Sequence, residues 1–136
     1  MSEFHKKYVK NIKSYFDTKD KDSERLFITI NKFLDFNKLK QLNKNCKLLD
    51  LGSGSGSFIN TCKNNGILAK GLDAATNNIN FETDKISEPD RSYDFITMIN
   101  IIEHLKNHKN IMSEIKRILK VDGFLIIMSP NFKYCY

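Results

Sequence analysis

Short apolar runs alternate along this chain with stretches in which apolar residues recur at helical spacing. The runs at 48–51, 67–72, 93–99 and 124–128 are bounded by glycine, asparagine or charged residues and predict strands of a parallel sheet, and those at 48–51 and 93–99 are typical of buried strands. Apolar residues at i, i+3 and i+4 spacing predict helices after Gly56 and over 109–120. The alternation of strands and helices predicts an α/β fold with a doubly wound, mostly parallel sheet.

The first 45 residues are predicted to be helical. One face of the first helix is apolar and largely aromatic: Phe4, Tyr8, Ile12 and Tyr15 or Phe16. The polar run at 18–22 predicts a break, and Ser23 is the expected N-cap of a second helix. That helix carries the apolar residues Leu26, Phe27, Ile30, Phe33 and Leu34. We expect 1–45 to form a helical cap, which covers the sheet or folds over a ligand as a lid, and 46–136 to form the sheet domain, in one compact unit.

The chain is organised around the stretch 47–56, KLLDLGSGSG, in which a predicted strand runs into a loop with glycines at Gly52, Gly54 and Gly56. Glycine permits positive φ and lets a ligand lie on the backbone, and the N–H groups at the start of the next helix face that ligand. The spacing is not the G-x-G-x-x-G of a dinucleotide loop, and the lysine of a phosphate-binding loop is missing. Asp50 could instead attract a cationic group such as an ammonium. A turn that binds nothing is the alternative.

Acidic residues mark the ends of the next elements. The strand at 67–72 ends in Asp73, near the spacing at which an acid reaches a ribose. The following segment is too short for a crossover helix, and a third strand is expected around Ile79–Thr83. Glu82 or Asp84 could accept a hydrogen bond from an adenine amine. Solvated surface acids without a ligand are the alternative reading.

Composition limits the class of protein. The net charge of +6 comes from scattered lysines without a basic stripe, which disfavours nucleic-acid binding. The three cysteines form no C-x-x-C pair, which argues for a reducing compartment and against a disulfide framework or a thiolate metal site. No apolar run has the length of a membrane span. We therefore expect a cytoplasmic protein.

Four segments, taken in order, resemble those of class I S-adenosylmethionine-dependent methyltransferases. They are LLDLGSGSG at 48–56, GLDAA at 71–75, YDFITMINIIEHL at 93–105 and EIKRILKVDGFLIIMSPN at 114–131. The resemblance covers roughly 47–131 and is greatest to the bacterial ubiquinone-biosynthesis and surface-glycan methyltransferases. It implies a Rossmann-like fold, S-adenosylmethionine as cofactor and S-adenosylhomocysteine as product.

The resemblance also implies roles for individual residues. The cofactor-binding residues would be Asp50, Gly52, Ser53, Gly54, Gly56, Asp73, Ala74, Asp84, Asn100 and Ile101. In this assignment the glycine loop carries the methionine moiety, Asp73 binds the ribose, and Asn100 with Ile101 lies near the sulfonium. His104 is the candidate base for an oxygen acceptor, although Glu103 and His104 could instead only orient their loop. No metal is expected, because Asn100 replaces the first acid of the metal-binding E-x-x-E-H run of some relatives.

The family sheet has seven strands, and the sequence predicts five, so we expect the last two strands to be missing. The acceptor expected from the resemblance is a small molecule or a glycan or lipid precursor. A cofactor-binding module without turnover, completed by a partner chain, is the alternative, and a nicotinamide-dependent oxidoreductase is disfavoured by the glycine spacing. The apolar edge of the fifth predicted strand is expected to pair with a second copy or with a partner chain.

Overall fold

A computed structural model describes residues 12–129 of the chain, with side chains from residue 22 onwards. The elements are α1 (Ile12–Phe36), β1 (Lys47–Leu51), α2 (Ser57–Asn64), β2 (Leu68–Leu72), β3 (Tyr93–Ile99), a 3₁₀ turn (Ile102–His104), α3 (Lys109–Ile118) and β4 (Leu119–Met128). The four strands form one sheet in the order β2-β1-β3-β4, and every neighbouring pair is parallel. Phe4 and Tyr8 of the predicted first helix lie outside the described residues.

The sheet separates two apolar layers. Along β1, Leu48 faces the layer that contains buried residues of α1 and α2, whereas Leu49 faces the layer of α3. Successive side chains of a strand point to opposite faces, so a strand with both faces covered is apolar throughout. This arrangement confirms the predicted Rossmann-like, doubly wound α/β fold.

The order of the strands creates a crevice at one edge of the sheet. After β1 the chain crosses through α2 to β2 on one side, whereas β3 pairs with β1 on the other side. The carboxyl ends of β1, β2 and β3 therefore meet where the winding direction reverses. Ligands of open α/β sheets bind at such a switch point.

The predicted break at 18–22 is wrong, because α1 continues through it. The run contains no glycine or proline, so nothing in its backbone prevents helix. Ser23 consequently lies inside the helix, 2% exposed, and is not an N-cap. The orientation expected for Phe33 is also wrong, since its side chain is 62% exposed. No helix within residues 12–129 is both long and apolar enough to cross a membrane.

The third strand predicted around Ile79–Thr83 is wrong as well. That segment consists of turns, in which the carboxylate of Asp84 accepts a hydrogen bond from the Asn80 N–H at 2.8 Å. The side chain of Asn80 in turn accepts from the Glu82 N–H at 2.9 Å. Local side-chain to backbone bonds of this kind compete with strand pairing. The described sheet therefore has four strands, and β4 corresponds to the fifth predicted strand.

Residues 120–123, whose sequence KVDG is typical of a turn, are an irregular part of β4. The register places Leu119 opposite Tyr93 and Phe124 opposite Phe95, so four residues of β4 oppose the single residue Asp94. The extra residues bulge outwards, and Val121 is 83% exposed. In α3 the buried residues are Ile111, Ile115 and Ile118, whereas Met112, predicted to face the sheet, is 39% exposed.

Candidate cofactor-binding site

The glycine loop after β1 is a tight turn that also closes the end of β2. Its glycines all have positive φ, at 84° for Gly52, 55° for Gly54 and 85° for Gly56. The N–H groups of Gly52 and Ser53 both donate to the Leu72 carbonyl oxygen, at 2.6 and 3.1 Å. Gly56 then serves as the N-cap position of α2. The positive φ values explain why this loop is built from glycine.

Ile101 contacts the loop at the first glycine. A Cβ atom on Gly52 would lie 2.2 Å from Ile101 Cδ1 and 2.3 Å from its Cγ1. Asn100 precedes it with a φ of 56°, a conformation that asparagine adopts more readily than most residues, and its N–H donates to the Met128 carbonyl at 2.7 Å. The structure thus brings Asn100 and Ile101 to the glycine loop, next to the first of the predicted ligand-carrying glycines.

Gly71 is a residue of this site that the sequence analysis missed. It lies in β2, opposite Asp50, and a Cβ atom there would lie 2.5 Å from both Cβ and Oγ of Ser53. The absence of a side chain at Gly71 therefore lets the glycine loop fold down onto β2. An isolated glycine inside a strand pattern was the available signal, because it often marks a close approach of backbone.

Asp73 joins the end of β2 to the glycine loop. Its Oδ2 accepts a hydrogen bond from the Gly54 N–H at 3.1 Å, and its Oδ1 accepts from the Ala75 N–H at 3.0 Å. The side chain of Asn77 accepts from the Asp73 N–H at 2.8 Å and fixes the turn that follows. Ala74 lies exposed in that turn. The acid and the glycine loop, separated in the sequence, are thus in direct contact.

Asp50 lies below the loop, inside the sheet. Its side chain is 2% exposed, and Oδ1 accepts a hydrogen bond from the Thr97 hydroxyl at 2.7 Å on the neighbouring strand. Burial, together with the negative charge of Asp50, raises the pKa of the Cys62 thiol to about 12. This thiol is therefore uncharged at neutral pH and is not a nucleophile. The proximity of Asp50 to an ammonium group of the ligand stays a prediction.

Asp84 lines a cleft of about 580 Å³ beside β2. The apolar side chains of Leu72 and Ile79 and the cationic side chains of Lys70 and Lys85 line the same cleft. The Asp84 side chain is exposed, with Oδ2 engaged by the Asn80 N–H. A role of Asp84 towards an adenine amine stays a prediction.

Two histidines lie in the segment that follows β3. The His104 side chain is 38% exposed, and its Nε2 lies 3.8 Å from Glu103 Oε1. His108, which the sequence analysis missed, has Nε2 within 3.1 Å of the Ile102 carbonyl oxygen and 3.0 Å of the Leu105 carbonyl oxygen. Both partners are acceptors, so the proton of a neutral His108 resides on Nε2. His108 thus braces this segment, and the role of His104 as a base stays a prediction.

Metal ligands do not cluster in the part of the chain that is described. Within residues 12–129, no three side chains of histidine, cysteine, aspartate or glutamate come together in a group that could hold a metal ion. The candidate site is therefore built from backbone donors, Asp73 and the apolar side chains at the ends of β2 and β3.

A model of the methyltransferase-domain family matches residues 7–134. The chain belongs to this family, and the class predicted from the sequence is confirmed. Membership implies S-adenosylmethionine as the cofactor.

The comparisons with individual proteins agree with this class. The ubiquinone biosynthesis O-methyltransferase of Glaesserella parasuis serovar 5 (strain SH0165) is 27% identical over 107 residues, which cover 62% of this chain and 45% of that protein. The chain thus spans about half the length of the curated relative it matches.

Two solved structures share the fold. A SAM dependent methyltransferase from Archaeoglobus fulgidus has 24% sequence identity and a TM-score of 0.60, with 87% of this chain and 59% of that chain covered. A TehB-like SAM-dependent methyltransferase from Corynebacterium glutamicum ATCC 13032 Kitasato has 19% identity and a TM-score of 0.63, with 88% and 71% covered. At these identities the likeness concerns the fold.

Proposed function

We propose that this chain binds S-adenosylmethionine at the carboxyl edge of the sheet and transfers its methyl group to an acceptor. The hydrogen bond from the Gly54 N–H to Asp73 Oδ2, at 3.1 Å, is the observation that carries the proposal. It joins the loop proposed for the methionine moiety to the acid proposed for the ribose. A carboxylate has about four acceptor positions, so Asp73 can receive ribose hydroxyls beside its backbone donors.

The remaining assignments are those that the resemblance implies. Asp50 lies below the methionine subsite, Ala74 and Asp84 flank the adenine subsite, and Asn100 with Ile101 faces the sulfonium. The contact between Ile101 and Gly52 supports the last of these, because it places Ile101 against the loop. The cleft that Leu72, Ile79 and Asp84 line supports the adenine subsite, because it offers both apolar and polar side chains.

Bound S-adenosylmethionine supplies a methyl group on a sulfonium, whose leaving group is a neutral thioether. The acceptor must approach that methyl group in line with the breaking carbon–sulfur bond, so the chain contributes mainly by orientation. An oxygen acceptor also loses a proton, and His104 is the proposed base for it. The partly exposed imidazole of His104 lies in the turn that follows Ile101.

The acceptor is proposed to be a small molecule or a glycan or lipid precursor. The name of the curated relative, an O-methyltransferase, supports an oxygen acceptor. The free, buried thiols of Cys46 and Cys62 fit the prediction of a reducing, cytoplasmic compartment.

A second candidate function is cofactor binding without turnover, in a chain that a partner completes. The observation in its favour is the outer edge of β4, which pairs with no strand among residues 12–129. We propose that a second copy or a partner chain pairs at this edge.

Titration calorimetry with S-adenosylhomocysteine tests the proposed site. Asp73→Ala should weaken binding by about 1.5–3 kcal/mol, the scale of hydrogen bonds to a charged group. Asp73→Asn keeps an acceptor oxygen and should lose less. Asp35→Ala, at an exposed acid of α1, is the matched control and should bind as the parent chain does.

The outcomes separate the alternatives. Absence of binding by the parent chain would overturn the proposed function, and binding of NAD in its place would favour an oxidoreductase. Equal affinities for the parent chain and Asp73→Ala would remove Asp73 from the site. A screen of hydroxylated acceptors for release of S-adenosylhomocysteine then distinguishes turnover from binding alone.

A further inference from the structure

Two segments from different parts of the chain lie side by side at the carboxyl edge. The 80–84 turn (Asn80–Asp84) belongs to the connection between β2 and β3 and ends in Asp84, the residue proposed for adenine. The 101–108 loop (Ile101–His108) follows β3 and carries the residues proposed to face the sulfonium and the acceptor. Their relative position therefore decides how the two ends of the proposed site are aligned.

Glu82 links the two segments directly. Its Oε1 accepts two hydrogen bonds from the backbone of the 101–108 loop, from the Lys106 N–H at 2.7 Å and from the Asn107 N–H at 2.8 Å. Both bonds are short for N–H donors, as is typical when the acceptor is a carboxylate. One oxygen of Glu82 is thus committed to the 101–108 loop and not to a ligand.

The side chain of Asn110 also forms hydrogen bonds to the 80–84 turn. Its side-chain Nδ2 donates to the Phe81 carbonyl oxygen at 3.0 Å and to the Asp84 carbonyl oxygen at 2.8 Å. Asn110 lies in the first turn of α3, directly after the 101–108 loop. These two bonds fix the backbone on both sides of Glu82, at Phe81 and at Asp84, and so position the Glu82 carboxylate.

We propose that Glu82 is a positioning residue that couples the adenine end of the cofactor site to the loop that faces the acceptor. The inference rests on the proposed function. Occupation of the adenine subsite orders the 80–84 turn, and the Glu82 carboxylate transmits that order to the backbone at Lys106 and Asn107. His108 extends this ordering to the rest of the 101–108 loop, because its Nε2 donates to the Ile102 and Leu105 carbonyls.

The contacts of Glu82 suit positioning better than they suit stability. Lys106 and Asn107 are exposed, so water can replace the carboxylate as the acceptor for their N–H groups. Loss of the side chain should therefore leave the fold intact and release only the loop. A glutamine at this position retains an oxygen that can accept both bonds.

Hydrogen exchange of the backbone amides tests the coupling. In Glu82→Ala, exchange at Lys106 and Asn107 should become about tenfold faster, the scale of one lost hydrogen bond. S-adenosylhomocysteine should slow exchange at these two amides in the parent chain and in Glu82→Gln, but not in Glu82→Ala. Glu24→Ala, at an exposed glutamate of α1, should behave as the parent chain does.

The outcomes decide between coupling and a purely structural role. Equal protection of the two amides by S-adenosylhomocysteine in the parent chain and in Glu82→Ala would overturn the inference and leave the proposed function standing. The same holds if Glu82→Gln behaves as Glu82→Ala does. A parent chain that does not bind S-adenosylhomocysteine would overturn the proposed function and, with it, this inference.

Discussion

At the scale of the residue, the glycine loop shows two different reasons for glycine. Gly52 and Gly56 have nearly the same φ, 84° and 85°, so the backbone strain on any side chain is nearly the same. Only Gly52 also has a neighbour, because a Cβ atom there meets Ile101, whereas nothing lies within 4 Å of one on Gly56. The sequence predicted the need for glycine but not the contact, which joins residues that are distant along the chain.

The pair Gly52→Ala and Gly56→Ala separates the two reasons. Both variants should lose about 1–2 kcal/mol of unfolding free energy from the left-handed backbone. Gly52→Ala should lose about 1–3 kcal/mol more, because Ile101 must move out of an occupied space. Urea unfolding measures the difference.

A second substitution checks the cause. Ile101→Ala removes both atoms that a Cβ atom at position 52 would meet, so the extra loss should largely disappear in the double variant. If Gly52→Ala and Gly56→Ala were equally stable, the contact with Ile101 would add no strain, which would contradict the prediction.

At the scale of the element, the local pattern predicted the buried elements and failed where polar residues were involved. The strands β1, β2 and β3 and the helices α2 and α3 agree with prediction because apolar runs and glycines mark them. The segment 18–22 did not end a helix, since it contains no glycine or proline and its lysines and aspartates are compatible with helix. The segment 79–84 is folded by its own asparagine and aspartate side chains, which no periodicity reports.

Arg117 of α3 forms hydrogen bonds and an ion pair with the segment 86–90, which leads into β3. Its guanidinium donates to the Ile86 and Glu88 carbonyl oxygens, each at 2.8 Å, and pairs with Glu114 and Asp90 at 2.7 Å. The hydrogen bond from Arg117 holds the pKa of Glu114 below its ordinary value, and the Ile86 N–H lowers it further. One side chain of α3 thus holds several points of the segment 86–90.

Arg117→Met should lower the unfolding free energy at neutral pH by about 2–3 kcal/mol, because charge-assisted hydrogen bonds to the partly buried Ile86 and Glu88 carbonyls are lost. A carboxyl with a lowered pKa stabilises the fold above its ordinary value of 4.5, and this contribution is lost as the pH falls through the lowered pKa. The difference between the parent chain and Arg117→Met should therefore shrink as the pH falls below 4.5 and through the lowered pKa of Glu114.

Denaturation curves at several pH values measure this effect. Lys116→Met removes a neighbouring exposed cation and serves as the control, with little change expected at any pH. A difference between the parent chain and Arg117→Met that is independent of pH would contradict the role given to Glu114.

At the scale of the whole molecule, the sheet has two outer strands, β2 and β4, with no further strand beside either among residues 12–129. Ile79, in the turns that the sequence did not reveal, lines the same cleft as Leu72 of β2. The edge of β4 carries Ile127, which is 41% exposed, whereas Ile126 packs against the core. An apolar edge with free backbone groups favours pairing with another strand.

Sedimentation should therefore show self-association of the chain that increases with concentration in the micromolar range. Ile127→Lys places a charge at the β4 edge and should give a monomer. Ile28→Lys adds the same charge at an exposed position of α1 and should associate as the parent chain does. A parent chain that sediments as a monomer at every concentration would contradict pairing between copies.

The rate at which the buried Cys62 thiol is alkylated measures how often α2 separates from the sheet. With a pKa of about 12, only roughly one thiol in ten thousand is ionised at pH 8, and the Cys62 side chain is buried on the inner face of α2. Alkylating reagents attack the thiolate, so modification requires that α2 first leave the sheet. Because α2 begins at the glycine loop, the rate at which Cys62 is alkylated follows the opening of the same element that frames the proposed cofactor site.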